Sequence, residues 1–159
     1  MQKYLTEIRW GIIFTAVMLL WIWVEQLTGL HGRHIAQHAT YTNLFAIPAI
    51  LVYVLALRQK KQRDYNGIMS WKQGMQSGLL ITLVVVLLSP AAQWLTYMVV
   101  SPNYFLNMQA YVVTEGMMTT EQALEYFSLT NYMLQSVIGA AIMGVLTSVI
   151  VAFFLRSKG

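Results

Sequence analysis

Apolar residues gather along this chain in four long runs, covering residues 8–27, 41–57, 74–100 and 132–155. A hydrocarbon layer about 30 Å thick takes roughly 20 apolar residues in a helix. Helix is the form that lipid enforces, because lipid offers no partner to an open backbone group. The pattern predicts an all-α fold: one integral membrane four-helix bundle over residues 1–159. The second run is short and holds Pro48, and residues 35–40 extend it as an interfacial turn. The third is longer than the bilayer needs, so tilt or a kink is expected. Pro90 withholds a donor from the Val86 carbonyl and is the place for that kink.

The polar segments differ in character. Residues 31–40 carry His31, His34 and His38. Residues 58–72 form a basic inner loop with Arg58, Lys60, Lys61, Arg63 and Lys72 against Asp64 alone. Residues 101–131 lack lysine and arginine, and their charges are Glu115, Glu121 and Glu125. Lys3 and Arg9 flank the start of the first run, and Arg156 and Lys158 come after the last. Basic residues stay on the cytoplasmic side, so both termini and the basic loop are expected there, with the acidic segment as an outer loop. Aromatic belts fit the same map, with Trp21, Trp23, Tyr41, Trp94, Tyr97 and Tyr132 near the outer interface and Trp10 and Trp71 near the inner one. Lys3, Arg9 and the apolar run after them resemble a signal peptide. The run is long, holds two tryptophans and leads to no small-x-small cleavage site, so a retained first span is expected.

A structureless loop as long as 101–131 is unusual. Phe105, Met108 and Val112 recur at helical spacing, and Thr119 with Gln122 forms a capping box before Leu124 and Phe127. Two short amphipathic helices are expected in this outer loop.

Composition supports lipid as the solvent: 57% of residues are hydrophobic and 10% charged, where a soluble domain carries about 25% charge. The net charge of +4 does not point to nucleic acid, because the basic residues sit at the ends of apolar runs. With no cysteine, disulfides, thiolate metal sites and cysteine nucleophiles are excluded.

Ser136, Ala140, Gly144, Ser148 and Ala152 recur every fourth residue in the last run, and Gly74 and Gly78 notch the third. Such strips let helices approach closely in lipid, either within the bundle or toward a second copy or another membrane protein. The histidines are spaced three and four apart, one stripe on a helix. With Glu25 they could present a metal or proton site; the plainer reading is an exposed polar loop. Glu25 itself is either a solvated helix end or a functional carboxylate. Arg58, Lys60, Lys61, Arg63 and Lys72 could meet anionic lipid, although topology alone explains them. Gly11-Ile12-Ile13-Phe14-Thr15 and Gly78-Leu79-Leu80-Ile81-Thr82 hint at two repeated hairpins.

Ser70-Trp71-Lys72-Gln73-Gly74, then Gly78, Tyr97 and Pro102-Asn103-Tyr104 give the chain the look of a known family. It resembles the small bacterial inner-membrane proteins of domain-of-unknown-function family 4199. The resemblance implies a multi-pass protein of the cytoplasmic membrane and brings no activity or catalytic residue with it. No motif in the chain compels a chemistry, so a non-enzymatic interaction or structural subunit without a cofactor is expected, with a small transporter or channel component as the alternative. The map is checked by single cysteines placed in this cysteine-free chain. In intact cells a membrane-impermeant thiol reagent should label Met118→Cys and spare Gln62→Cys; the reverse pattern inverts the topology.

Overall fold

The computed structural model describes residues 4–157, and Lys3 and Lys158 lie outside them. Among the described residues the chain is helical: α1 (Leu5–Leu27), α2 (Ile35–Tyr41), α3 (Ala46–Asp64), α4 (Trp71–Leu95), α5 (Tyr104–Thr114), α6 (Thr120–Tyr126) and α7 (Leu129–Leu155). Four stretches are long and apolar enough to cross a membrane: α1, α2 with α3, α4 with the turn after it, and α7. All four leave large apolar side chains exposed, among them Leu20, Ile47, Leu87 and Phe154. In water that surface would be costly; in lipid it is the solvated face. The protein is an integral membrane helix bundle.

The helix boundaries differ from the hydropathy runs where strong helix formers continue an apolar segment. The residues expected as a basic loop are mostly helix, because α3 runs on to Asp64. Lysine, arginine and glutamine have high helix propensity, and cations suit a helix C-terminus. The remaining turn is short. Asn66 and Gly67 adopt left-handed backbone there, and Ser70 then opens α4 with a capping box, its Oγ accepting from Gln73 N–H while Gln73 accepts from Ser70 N–H.

The prolines sit where their missing N–H is tolerated. Pro48 lies in the first turn of α3, directly after a 3₁₀ turn at Thr42–Phe45. Pro90 lies inside α4, which continues through it to Leu95. The Val86 carbonyl that Pro90 leaves without a backbone donor receives the Ser89 hydroxyl instead, at 2.9 Å. This span continues past α4 into a π-helical turn at Thr96–Val100.

α4 is the central helix, packed against α7 and α1, with α3 closing the other side. The expected small-residue strip is used within the chain toward the C-terminal end of α7. A Cβ added to Gly78 would lie 2.5 Å from Ser148 Oγ and 3.1 Å from its Cα, and one added to Gly74 would stand 3.0 Å from the Ala152 Cβ. A Cβ on Gly144 would collide with the Thr82 side chain. Ser136 and Ala140 instead line a lateral cavity of about 360 Å³ between the four spans. Across the same seam Tyr53 Oη stands 2.8 Å from Thr82 Oγ1, which lies 3.4 Å from Ser148 Oγ. The mid-bundle is thus less bare of polar groups than hydropathy suggests.

Tyr53, Leu57, Met69, Ile81, Val85 and Val151 form the main core. A second cluster of Val112, Ala123 and Phe127, backed by Phe105, Met108 and Tyr132, joins α5 and α6 over one end of the bundle. These are the two short helices expected between the last spans. The Thr119 capping box is present, but Ala123 is on the buried side with Phe127, while Leu124 is exposed.

The glycine geometry yields a test. Gly78→Leu should destabilise the protein by about 1–3 kcal/mol through overpacking, read as an earlier thermal transition in detergent. Gly139→Ala, where nothing lies within 4 Å of an added Cβ, should leave the transition unchanged.

Candidate functional site

Glu25 lies near the end of α1, in a helix terminus that closes back on itself. Gly29 has φ of 81°, its N–H bonds the Gln26 carbonyl at 3.1 Å, and Leu30 N–H bonds the Glu25 carbonyl at 3.0 Å. This paired pattern requires a left-handed residue, which glycine adopts without a Cβ penalty. The reversal carries His31 back over the end of α1. Glu25 and His31 end up 3% and 4% exposed. Glu25 is thus not a solvated helix end and His31 is not exposed, while His34 and most of the residues around it are exposed, as the plainer reading expects.

Three segments converge on the Glu25 carboxylate. Trp21, one turn earlier on α1, donates its Nε1–H to Oε1 at 2.7 Å. His31 Nε2 lies 3.3 Å and His38 Nε2, from α2, 3.7 Å from Oε2. These three ligand-type atoms, Glu25 O, His31 N and His38 N, lie within 4.8 Å of one another, the spacing that could hold a metal ion. His34 is left out. It precedes α2 and is exposed, because the turn at residues 28–34 breaks the continuous helix that a three-histidine stripe requires.

The second connection roofs the site. The π turn ends with Ser101 N–H on the Thr96 carbonyl at 2.7 Å. A π turn inserts a residue into the helical register and so re-aims the side chains after it, here Ser101. Ser101 Oγ donates to Gln26 Oε1 at 2.9 Å and stands 2.6 Å from His31 Nδ1. Since the hydroxyl proton is committed to Gln26, His31 Nδ1–H is the donor in that second bond. Asn107 of α5 donates to the His31 carbonyl at 2.8 Å. Tyr104, 1% exposed, packs edge-on to His31 with ring centres 4.9 Å apart. Its Oη lies 3.5 Å from His38 Nδ1 and 3.3 Å from Tyr132 Oη. Burial holds the Tyr104 phenol well above the usual tyrosine range, so it stays neutral. Tyr97 and Tyr132, expected in an interfacial belt, pack against Tyr104 and Phe105, Tyr97 with tilted rings and Tyr132 edge-on; Trp23 and Trp94 remain exposed.

A second buried charge cluster lies at the opposite end of α1. Glu7, 2% exposed, receives the Ser77 hydroxyl at 2.9 Å and pairs with Lys60 at 2.8 Å, and Lys60 also pairs with Asp64. Glu7 Oε2 has no hydrogen-bond partner among the described residues. Sequence reasoning passed over Glu7 and placed Lys60 among residues facing anionic lipid. The structure buries Lys60, and Lys61 donates to the Leu155 carbonyl at the end of α7, at 2.9 Å. Arg58, Arg63 and Lys72 remain exposed. One signal for Glu7 was available: it precedes Glu25 by 18 residues, about five helical turns, and so shares its face of α1. Nothing local pointed from Glu7 to Lys60.

Removing one partner of a buried ion pair strands the other. Lys60→Met should lower stability by about 3 kcal/mol, and Glu7→Gln in the same chain should restore most of it. Thermal unfolding of the three variants in detergent checks this; equal losses in Lys60→Met and the double variant would contradict it.

The family described as "Protein of unknown function (DUF4199)" matches residues 9–157. The chain belongs to that family. No curated protein and no solved structure matches it.

Proposed function

We propose that this DUF4199 protein is a non-enzymatic cation-binding component of the bacterial cytoplasmic membrane. Both termini face the cytoplasm, and the Glu25 cluster faces outward. One observation carries the reading: a carboxylate buried at a helix end is met on one oxygen by two imidazole nitrogens, one from the turn after α1 and one from α2. An uncompensated carboxylate in a low-dielectric setting is costly, and a bound cation, proton or metal, offsets that cost. The orientation rests on the basic residues that flank the opposite end of the bundle.

Transport is the second reading. It is supported by the two acids sharing one face of α1, with buried Ser77 of α4 bonded to one of them. A partner-subunit role has lost part of its support, because Gly144, Ser148 and Ala152 are occupied by α4.

Thermal unfolding in detergent across chloride salts of Na⁺, K⁺, Mg²⁺, Ca²⁺ and Zn²⁺ tests the proposal. A ligand at 100 times its Kd stabilises by about 2.7 kcal/mol. At least one cation should raise the transition in the wild type and fail to do so in Glu25→Gln. No response to any cation sinks the reading. Flux of the active cation in proteoliposomes marks transport, and binding without flux marks a static site.

A further inference from the structure

We infer that Glu25, His31 and His38 form a three-donor site for a first-row divalent metal ion of the zinc class, backed by Ser101 and Tyr104. This rests on the cation-site reading above and names its ligand.

The donor set is the first ground. Two imidazoles and one carboxylate suit zinc and its neighbours, whereas magnesium and calcium prefer oxygen donors throughout. Three protein donors leave one position of a tetrahedral ion to water or an exchanging group.

Spacing is the second. With bonds of about 2.0–2.1 Å, neighbouring donors around a tetrahedral zinc stand about 3.3 Å apart. The His31–Glu25 separation is 3.3 Å and the His38–Glu25 separation 3.7 Å. The wider gap is on the side of His38, whose side chain, 15% exposed against 3% for His31, has room to turn inward.

The third ground is tautomer. Because Ser101 donates to Gln26, it accepts the His31 Nδ1 proton. In the neutral ring Nε2 then presents a lone pair to the Glu25 carboxylate. Two lone-pair-bearing atoms facing each other at 3.3 Å call for a cation between them, a second ring proton or a metal ion. Fixing a ligand histidine through its other nitrogen is how metal sites hold ring and tautomer. His38 has its Nδ1 toward the Tyr104 hydroxyl, 3.5 Å away, and Trp21 holds the other carboxylate oxygen.

Calorimetric titration of Zn²⁺ into the full chain in mild detergent tests the assignment, with Mg²⁺ and Ca²⁺ as comparison ions. One Zn²⁺ per chain should bind to the wild type and to His34→Ala, with no comparable binding of Mg²⁺ or Ca²⁺. His38→Ala should weaken Zn²⁺ roughly ten-fold or more, and Ser101→Ala, which keeps all three donors, should also weaken it roughly ten-fold. Co²⁺ in place of Zn²⁺ should give the visible absorption of a tetrahedral ion, lost in His38→Ala even where its melting temperature matches the wild type. Unchanged Zn²⁺ affinity in His38→Ala, or an equal loss in His34→Ala, overturns the assignment. Stabilisation by a different cation, abolished in Glu25→Gln and without Zn²⁺ binding, also overturns it and leaves the cation-site reading standing. No response to any cation ends both.

Discussion

The close approach of α4 and α7 at Gly78 and Gly144 is the contact on which the bundle depends. Lipid tails are as apolar as leucine, so burying leucine on leucine gains little there, and helices associate through packing and interhelical hydrogen bonds. Gly78 lets α4 meet Ser148, and Gly144 lets α7 meet Thr82. The Tyr53–Thr82–Ser148 hydroxyls then fall within reach of one another across α3, α4 and α7. A Cβ at either glycine would push the two helices apart and end this reach, while Thr82 and Ser148 kept their bonds to the Gly78 and Gly144 carbonyls of their own helices.

With α4 held at the centre, α1 lies along it, and Gly11 has a comparable role on that side: an added Cβ would stand 2.5 Å from Val84 Cγ1. The same face of α1 carries an acid near each end. Each acid is treated as a buried charge must be, with polar partners gathered around it. At one end Glu7 has Lys60 and Ser77; at the other Glu25 has Trp21, His31 and His38. The chemistry differs in consequence. A lysine ammonium locks its acid into a structural pair, whereas imidazole nitrogens are ligands for metal ions. The difference explains why the functional reading is placed at Glu25 and the stability reading at Glu7.

The connection after α4 makes the Glu25 end a site. Its π turn aims Ser101 at His31, and α5 brings Tyr104 and Asn107 over the rings. α6 packs on α5 through Val112, Ala123 and Phe127. A long acidic connection thus serves as a roof whose inner surface is aromatic and whose outer surface carries the exposed Glu121 and Glu125.

Hydropathy alone determined that this chain crosses a membrane as four helices, since twenty apolar residues in a row have no other stable solution in lipid. Local signals also determined the capping box at Thr119 and the small-residue strip, because both depend on residues within a few turns of each other. The partners of Glu7, the burial of Lys60 and the recruitment of Ser101 and Tyr104 were decided only by tertiary structure. Each joins segments dozens of residues apart: Ser101 meets His31 across 70 positions and Glu7 meets Ser77 across 70. Spacing along a chain reports on faces of a single helix. Which faces meet is settled by how four helices share one volume, and no local periodicity encodes that.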